Sequence, residues 1–197
     1  MERGSIFKDD AAFETRLILD ESELEKTVKA LKDLKLRIVL TSGSFDLPHI
    51  GHMRYLREAR LKGDVLIVGV DSDEKVRSRK GKLRPVLPDR ERAEMVAHSR
   101  YVDIVTIKSD SQDKWSLIKL VSPDVLVISE RTGYDAETQT ELNKYCGAIV
   151  NLESQAKSST SAGIRRLQLE TILPALAQIR GVIDKVEKEM TGEPAHD

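Results

Sequence analysis

The chain has 197 residues, with 32 Lys and Arg against 33 Asp and Glu and a formal net charge of −1. That balance argues against bulk attraction to nucleic acid or to an anionic membrane and directs attention to small-molecule partners. The lone Cys146 excludes an internal disulfide framework and fits a reducing compartment, and there is no signal-peptide core or bilayer-length apolar run, so the expected location is the cytoplasm.

The length allows one main domain and an appendage: a helical extension over 1–35, a core over 36–167, and a C-terminal helix with a frayed tail over 168–197. Ser22-Glu23-Leu24-Glu25 reads as a capping box, after which Leu24, Val28, Leu31 and Leu34 mark the apolar face of a packing helix. Residues 36–40 form a short aliphatic run that predicts a buried strand. A helical segment over 53–61 then ends at Lys62-Gly63, a basic last turn with a glycine C-cap.

Strand-like runs over 64–70, 102–107, 125–128 and 148–152 alternate with amphipathic segments over 89–99, 112–121 and 136–145. Continuous apolar strands between helices predict an α/β fold, a Rossmann-like five-stranded parallel sheet covered on both faces. Ligands bind such sheets at the carboxyl ends of the strands. Lys75, Arg77, Arg79, Lys80, Lys82 and Arg84 follow the second strand and read either as a solvated loop or as counter-charge for phosphate.

The turn Thr41-Ser42-Gly43-Ser44-Phe45-Asp46-Leu47-Pro48-His49-Ile50-Gly51-His52 lies between the first strand and its helix. A helix N-terminus offers unpaired N–H groups and partial positive charge to an oxyanion. Gly43 would let the backbone approach a phosphate, and His49 and His52 stand three residues apart at the start of the helix, able to donate to phosphate oxygens. Preorganised donors of this kind are worth about 3–4 kcal/mol each toward developing charge. A pair of helix-capping or metal-binding histidines is the competing structural reading; only His98 and His196 remain as further histidines.

The stretch from Gly43 to His52 resembles the signature of the cytidylyltransferase-like nucleotidyltransferases, Gly-x-Phe-Asp-x-x-His-x-Gly-His. The resemblance implies attack by a substrate phosphate oxygen on the α-phosphorus of ATP or CTP, with Mg²⁺ present, pyrophosphate leaving and no covalent enzyme intermediate. It implies that His49 and His52 contact the triphosphate and stabilise the transition state, and that Thr41, Gly43, Ser44, Phe45, Asp46 and Gly51 belong to the nucleotide site. No metal-ligand set in the chain itself is implied.

Further segments extend the likeness. Residues 80–86, Lys-Gly-Lys-Leu-Arg-Pro-Val, are similar to a segment of ADP-heptose synthase adenylyltransferase domains and make Lys80 a candidate phosphate clamp. Arg92 falls where the family carries an arginine; an exposed helical ion pair is its alternative. Residues 99–103 resemble the Arg-Tyr-Val-Asp segment of glycerol-3-phosphate and phosphocholine cytidylyltransferases, which adds Arg100. The loop over 129–135 contributes Arg131 but matches neither pattern, and could be an ordinary strand-to-helix turn.

Ser159, Thr160 and Ser161 inherit a triphosphate-contacting role or act as helix caps. Beyond them Ile172, Leu176, Ile179, Ile183, Val186 and Met190 follow a 4-3-4-3-4 spacing, the stripe of a helix that folds back or pairs in a homodimer. Pro174 is expected at that helix's first turn or at a kink. The leading expectation is NMP transfer to a sugar phosphate. A glycerol-3-phosphate-type cytidylyltransferase and a catalytically silent nucleotide-binding regulator are the alternatives.

Overall fold

A computed structural model describes residues 13–109, 114–130, 134–153, 155 and 160–191. The chain divides into two compact units at residues 157/158. In the first, a 3₁₀ turn at Phe13–Arg16 precedes α1 (Glu21–Asp33), β1 (Ile38–Gly43), α2 (Ile50–Arg60), β2 (Val65–Asp71), α3 (Asp73–Lys80) and α4 (Asp89–Ala97). There follow β3 (Ile104–Lys108), α5 (Ser116–Val121), β4 (Val125–Ser129), α6 (Ala136–Leu142) and β5 (Ala148–Leu152), and the second unit holds α7 (Thr160–Thr191).

The five strands form one parallel sheet in the order β3-β2-β1-β4-β5. The chain moves outward from β1 to β2 and β3, then crosses to the other side of β1 for β4. The order therefore reverses beside β1, and the loop leaving β1 opens onto the crevice where such sheets hold ligands. Alternate strand residues serve opposite faces. Ile38, Leu40, Val65 and Ile67 join Leu24, Val28, Leu117 and Val121 of α1 and α5. Val39, Leu66, Val68 and Val70 pack with Leu56 and Ala59 of α2 and Ala93 and Val96 of α4. Burial on both faces explains why the central strands read as unbroken apolar runs.

At the amino edge of the sheet, aspartates collect strand N–H groups: Asp64 accepts from Arg37 at 2.8 Å, Asp103 from Leu66 at 2.7 Å and Asp124 from Ile38 at 2.7 Å. Gly63 lies here for a reason other than helix capping. The C-cap of α2 is Leu61, and a Cβ on Gly63 would stand 2.6 Å from the Arg37 carbonyl oxygen. Glycine is required there by close backbone approach.

Local expectations change elsewhere too. Asp20, not Ser22, caps α1: its Oδ1 accepts from the Glu23 N–H at 2.9 Å and from the Ser22 hydroxyl at 2.7 Å. The basic tract is helical as far as Lys80, because Ser72 caps α3 and Val76 anchors it in the core. Pro174 lies inside α7 rather than in its first turn, and the helix starts at Thr160, ahead of the apolar stripe.

Candidate active site

The loop from Ser44 to His49 is held in an unusual conformation. Phe45 and Leu47 both have positive φ, 45° and 53°, which costs a residue with a Cβ about 1–3 kcal/mol. Burial of the Phe45 ring, 4% exposed, offsets part of that cost. Gly43 makes room for it, since a Cβ there would lie 3.2 Å from the ring. The ring in turn sits 5.6 Å from that of His52.

His49 is the N-cap of α2. Its Nδ1 accepts from the Gly51 N–H at 3.1 Å, while His52 Nδ1 accepts from the His49 N–H at 3.2 Å, a reciprocal capping box made of two imidazoles. The capping reading is therefore correct, and it has a chemical consequence. A nitrogen that accepts a hydrogen bond carries no proton, so the network assigns each neutral ring its proton at Nε2. The rings lie 4.2 Å apart. Backbone amides at the positive end of α2 are thus spent on Nδ1, and the donor direction is passed through each ring to Nε2.

Asp46 is buried and works inside the protein. Oδ1 accepts from Val86 N–H at 2.9 Å and Leu87 N–H at 3.4 Å, and Arg84 Nε stands 2.9 Å from Oδ2 as an ion pair off the line of a directed hydrogen bond. Its carboxylate fastens the histidine loop to the segment between α3 and α4. Arg92, expected either at the nucleotide or on an exposed face, is fully buried. Nε donates to Leu87 O at 2.9 Å, Nη2 to Asp73 Oδ1 at 2.8 Å, and Nη1 to Ser44 O. The guanidinium joins three segments: the histidine loop at Ser44, the start of α3 at Asp73 and the lead-in to α4 at Leu87.

Lys80, on the last turn of α3, donates to Ser44 Oγ at 2.7 Å. Burial, reinforced by Arg79 and Arg84, pulls its pKa below the ordinary lysine value, while Asp46 and Asp71 oppose the shift. Next to it, Arg79 donates to Asp71 Oδ2 at 2.9 Å, and Lys108 Nζ lies 3.2 Å from Oδ1. Asp71 and Lys108 end β2 and β3 as register partners. Lys108 is also lowered by burial, against the pull of Asp71.

Thr41 is buried beneath the loop rather than exposed to a ligand. Its hydroxyl is 2.7 Å from that of Tyr55, which donates to Val127 O at 3.2 Å, so Tyr55 of α2 ties β1 to β4 at the strand-order reversal. Burial pushes the Tyr55 phenol up to about 12, with the Thr41 hydrogen bond pulling the other way. Arg54, one turn into α2, donates to Gln155 O at 3.3 Å.

The structure brings Gly43, Ser44, Phe45, Asp46, His49, Gly51, His52, Lys80 and Arg92 to one place. Arg100 does not join them. It is exposed in the turn from α4 to β3, at the amino edge of the sheet, and the length of a strand separates that edge from the histidines. Arg131 and Ser159 lie outside the described residues. Thr160 and Ser161 open α7 in the second unit, and their side chains also lie outside the described set. Sequence reasoning missed Tyr55, Asp73 and the Asp71–Arg79–Lys108 cluster. Polar residues at the carboxyl ends of two adjacent predicted strands were the available signal for Asp71 and Lys108.

A histidine-bearing turn at the end of the central strand of a parallel sheet is a nucleotide-handling arrangement of α/β proteins. The cytidylyltransferase-like family profile matches residues 40–175, more than half of the chain, and the chain belongs to that family of nucleotidyltransferases. Among curated relatives, the bifunctional protein HldE of Wolinella succinogenes is 37% identical over 155 residues, 77% of this chain and 31% of its own. HldE of a Nitratiruptor species is 46% identical over 110 residues, 56% of this chain and 24% of its own. The chain thus spans about a quarter to a third of those relatives. A lipopolysaccharide core biosynthesis protein from Thermoplasma volcanium has a similar structure, with TM-score 0.56 and 29% identity over 60% of this chain and 98% of that one. The pantoate-beta-alanine ligase of Francisella tularensis shares the fold, with TM-score 0.50 and 12% identity over 74% of this chain and 68% of that one.

Proposed function

We propose that residues 36–167 transfer NMP from ATP or CTP to a phosphorylated small molecule, a sugar phosphate in the leading reading. A phosphate oxygen of the acceptor attacks the α-phosphorus, the bond from that phosphorus to the bridging oxygen breaks, and pyrophosphate leaves with the electron pair. The observation that carries this reading is the imidazole capping box, which leaves the proton of each neutral ring at Nε2, in the same turn whose Ser44 accepts from the Lys80 ammonium. Donors held this way strengthen as charge develops on the triphosphate and require no reorganisation.

Among the described residues no three His, Cys, Asp or Glu side chains gather as a metal cage. In this reading Mg²⁺ travels with the triphosphate, as it commonly does. The likeness to HldE proteins and to a lipopolysaccharide core biosynthesis protein supports the sugar-phosphate acceptor. The segment that favours a glycerol-3-phosphate-type cytidylyltransferase surrounds Arg100, at the edge of the sheet away from the histidines, and so says little about the site.

The test is pyrophosphate release with Mg²⁺, crossing ATP, CTP, GTP and UTP against sugar 1-phosphates, glycerol 3-phosphate, phosphocholine and mononucleotides. Release with one nucleotide and one acceptor fixes both. Binding of a triphosphate without release in any combination supports the silent regulator instead. If His49→Ala and His52→Ala each leave turnover within about threefold of the parent at saturating substrate, far short of the effect of a lost donor, the catalytic assignment fails.

A further inference from the structure

We infer that α7 pairs antiparallel with α7 of a second copy of this chain, in the register that sets Leu169 opposite Val186, Ile172 opposite Ile183 and Leu176 opposite Ile179. These six residues are each about half exposed, 47–56%, on one stripe of a 32-residue helix. Their 3-4-3-4-3 spacing is that of coiled-coil a and d positions, with Leu169, Leu176 and Ile183 at a and Ile172, Ile179 and Val186 at d. No helix of the described chain is long and apolar enough to cross a membrane.

The flanking positions choose the orientation. In a parallel pair, g residues face e residues one heptad on, which sets Ala175 against Arg180 and Val182 against Glu187 and leaves Glu187 without an opposite charge. In the antiparallel pair e faces e and g faces g. Arg166 of one copy, which pairs with Glu170 along its own helix at 2.7 Å, then also meets Glu187 of the other, Ala175 meets Val182, and the two-fold axis repeats both contacts. Leu173 meets Arg180, whose alkyl stem covers it. Such self-complementarity is what an isologous interface requires. Pro174 and Gly181 both fall at f, facing away from the seam, and a Cβ on Gly181 would meet nothing within 4 Å. The residues least suited to a helix are therefore where pairing does not need them.

The experiment uses the full chain in a Cys146→Ser background, with Leu169→Cys and Val186→Cys made separately. Oxidation of the two variants mixed is expected to give a disulfide-linked dimer, while neither variant links to itself, because each thiol then lies far from its own copy. Self-linking of either variant alone means a parallel pair and overturns the proposal. A chain that sediments as a monomer across a concentration series, with no cross-link in the mixture, overturns it as well. Arg166→Glu is expected to weaken the dimer about tenfold, and Glu187→Arg in the same chain to restore it; failure of the double variant to recover refutes the register.

Discussion

The backbone N–H of His49 donates to His52 Nδ1 at 3.2 Å, so the ring proposed to meet the triphosphate also closes the first turn of its helix. Capping and chemistry therefore separate by atom, Nδ1 for one and Nε2 for the other. Asn reproduces an acceptor near Nδ1 and is among the best N-caps. His49→Asn should stay within about 0.5 kcal/mol of the parent in urea unfolding while losing about 10²–10³ in kcat. His49→Ala should lose as much activity and a further ~1 kcal/mol of stability. Equal kcat in parent and His49→Asn would show that Nε2 takes no part in turnover.

Arg92 offers a sharper stability test. Its guanidinium is fully buried and serves Ser44 O, Leu87 O and the Asp73 carboxylate, whose side chain is 24% exposed. Removing one partner of a buried ion pair costs about 3–5 kcal/mol, and the partial hydration of Asp73 places this case near the lower end. Arg92→Met is expected to destabilise by about 3 kcal/mol in urea unfolding, as a shift of midpoint at constant slope. A shift below about 0.5 kcal/mol would remove the arginine from the framework of the site.

How much of this was legible in the sequence depends on where each residue draws its partners. The inner strands could be read because both faces of a parallel sheet are buried there and leave apolar runs, whereas the half-exposed edge strand β5 was legible only from its short aliphatic run. Helix α3 could not: in Asp-Glu-Lys-Val-Arg-Ser-Arg-Lys only Val76 is buried, so there is no apolar period to detect, and the helix rests on the Ser72 cap and on ion pairs with distant residues. The histidine turn was visible as a pattern and helix capping was an open alternative for it, but the reciprocal bonding of the two imidazoles was not legible, since imidazoles seldom stand where Ser and Glu form the usual box. Arg92 carries no local sign of burial at all. Its three acceptors lie 5, 19 and 48 residues away in the chain. Arg100 misled in the opposite direction, because a familiar local string does not reveal at which end of a strand it will lie.

Tyr55 tests whether the strand-order reversal is held from above by α2. With its hydroxyl bonded to Thr41 and to Val127 O, Tyr55→Phe leaves two buried groups short of a partner. A cost of about 1–3 kcal/mol follows. Thr41→Val should cost less in the Tyr55→Phe background than in the parent, because the same hydrogen bond cannot be lost twice; an additive double-mutant cycle would mean that the two hydroxyls are not coupled.

Lys80 gives the pH dependence. Burial, then the Arg79 and Arg84 guanidiniums, lower its pKa below that of a free lysine. The folded chain thus binds this proton less tightly than the unfolded chain. The sign of the linkage is that the charged lysine costs stability at neutral pH, and this cost fades as pH rises from the folded value toward 10.5. Activity is expected to run the other way, since the proposed role of Lys80 at the triphosphate uses its ammonium form. The alkaline fall of kcat/KM in the parent is expected below the usual lysine range. Lys80→Met should lose about 10–100-fold in kcat/KM at neutral pH, the scale of one hydrogen bond to a charged group. Lys80→Arg does not titrate in this range, so its profile should lose that alkaline limb or carry it to higher pH. Among the described residues Lys108, also lowered by burial, is the other lysine that could produce such a limb. A limb unchanged in Lys80→Arg therefore withdraws the assignment from Lys80.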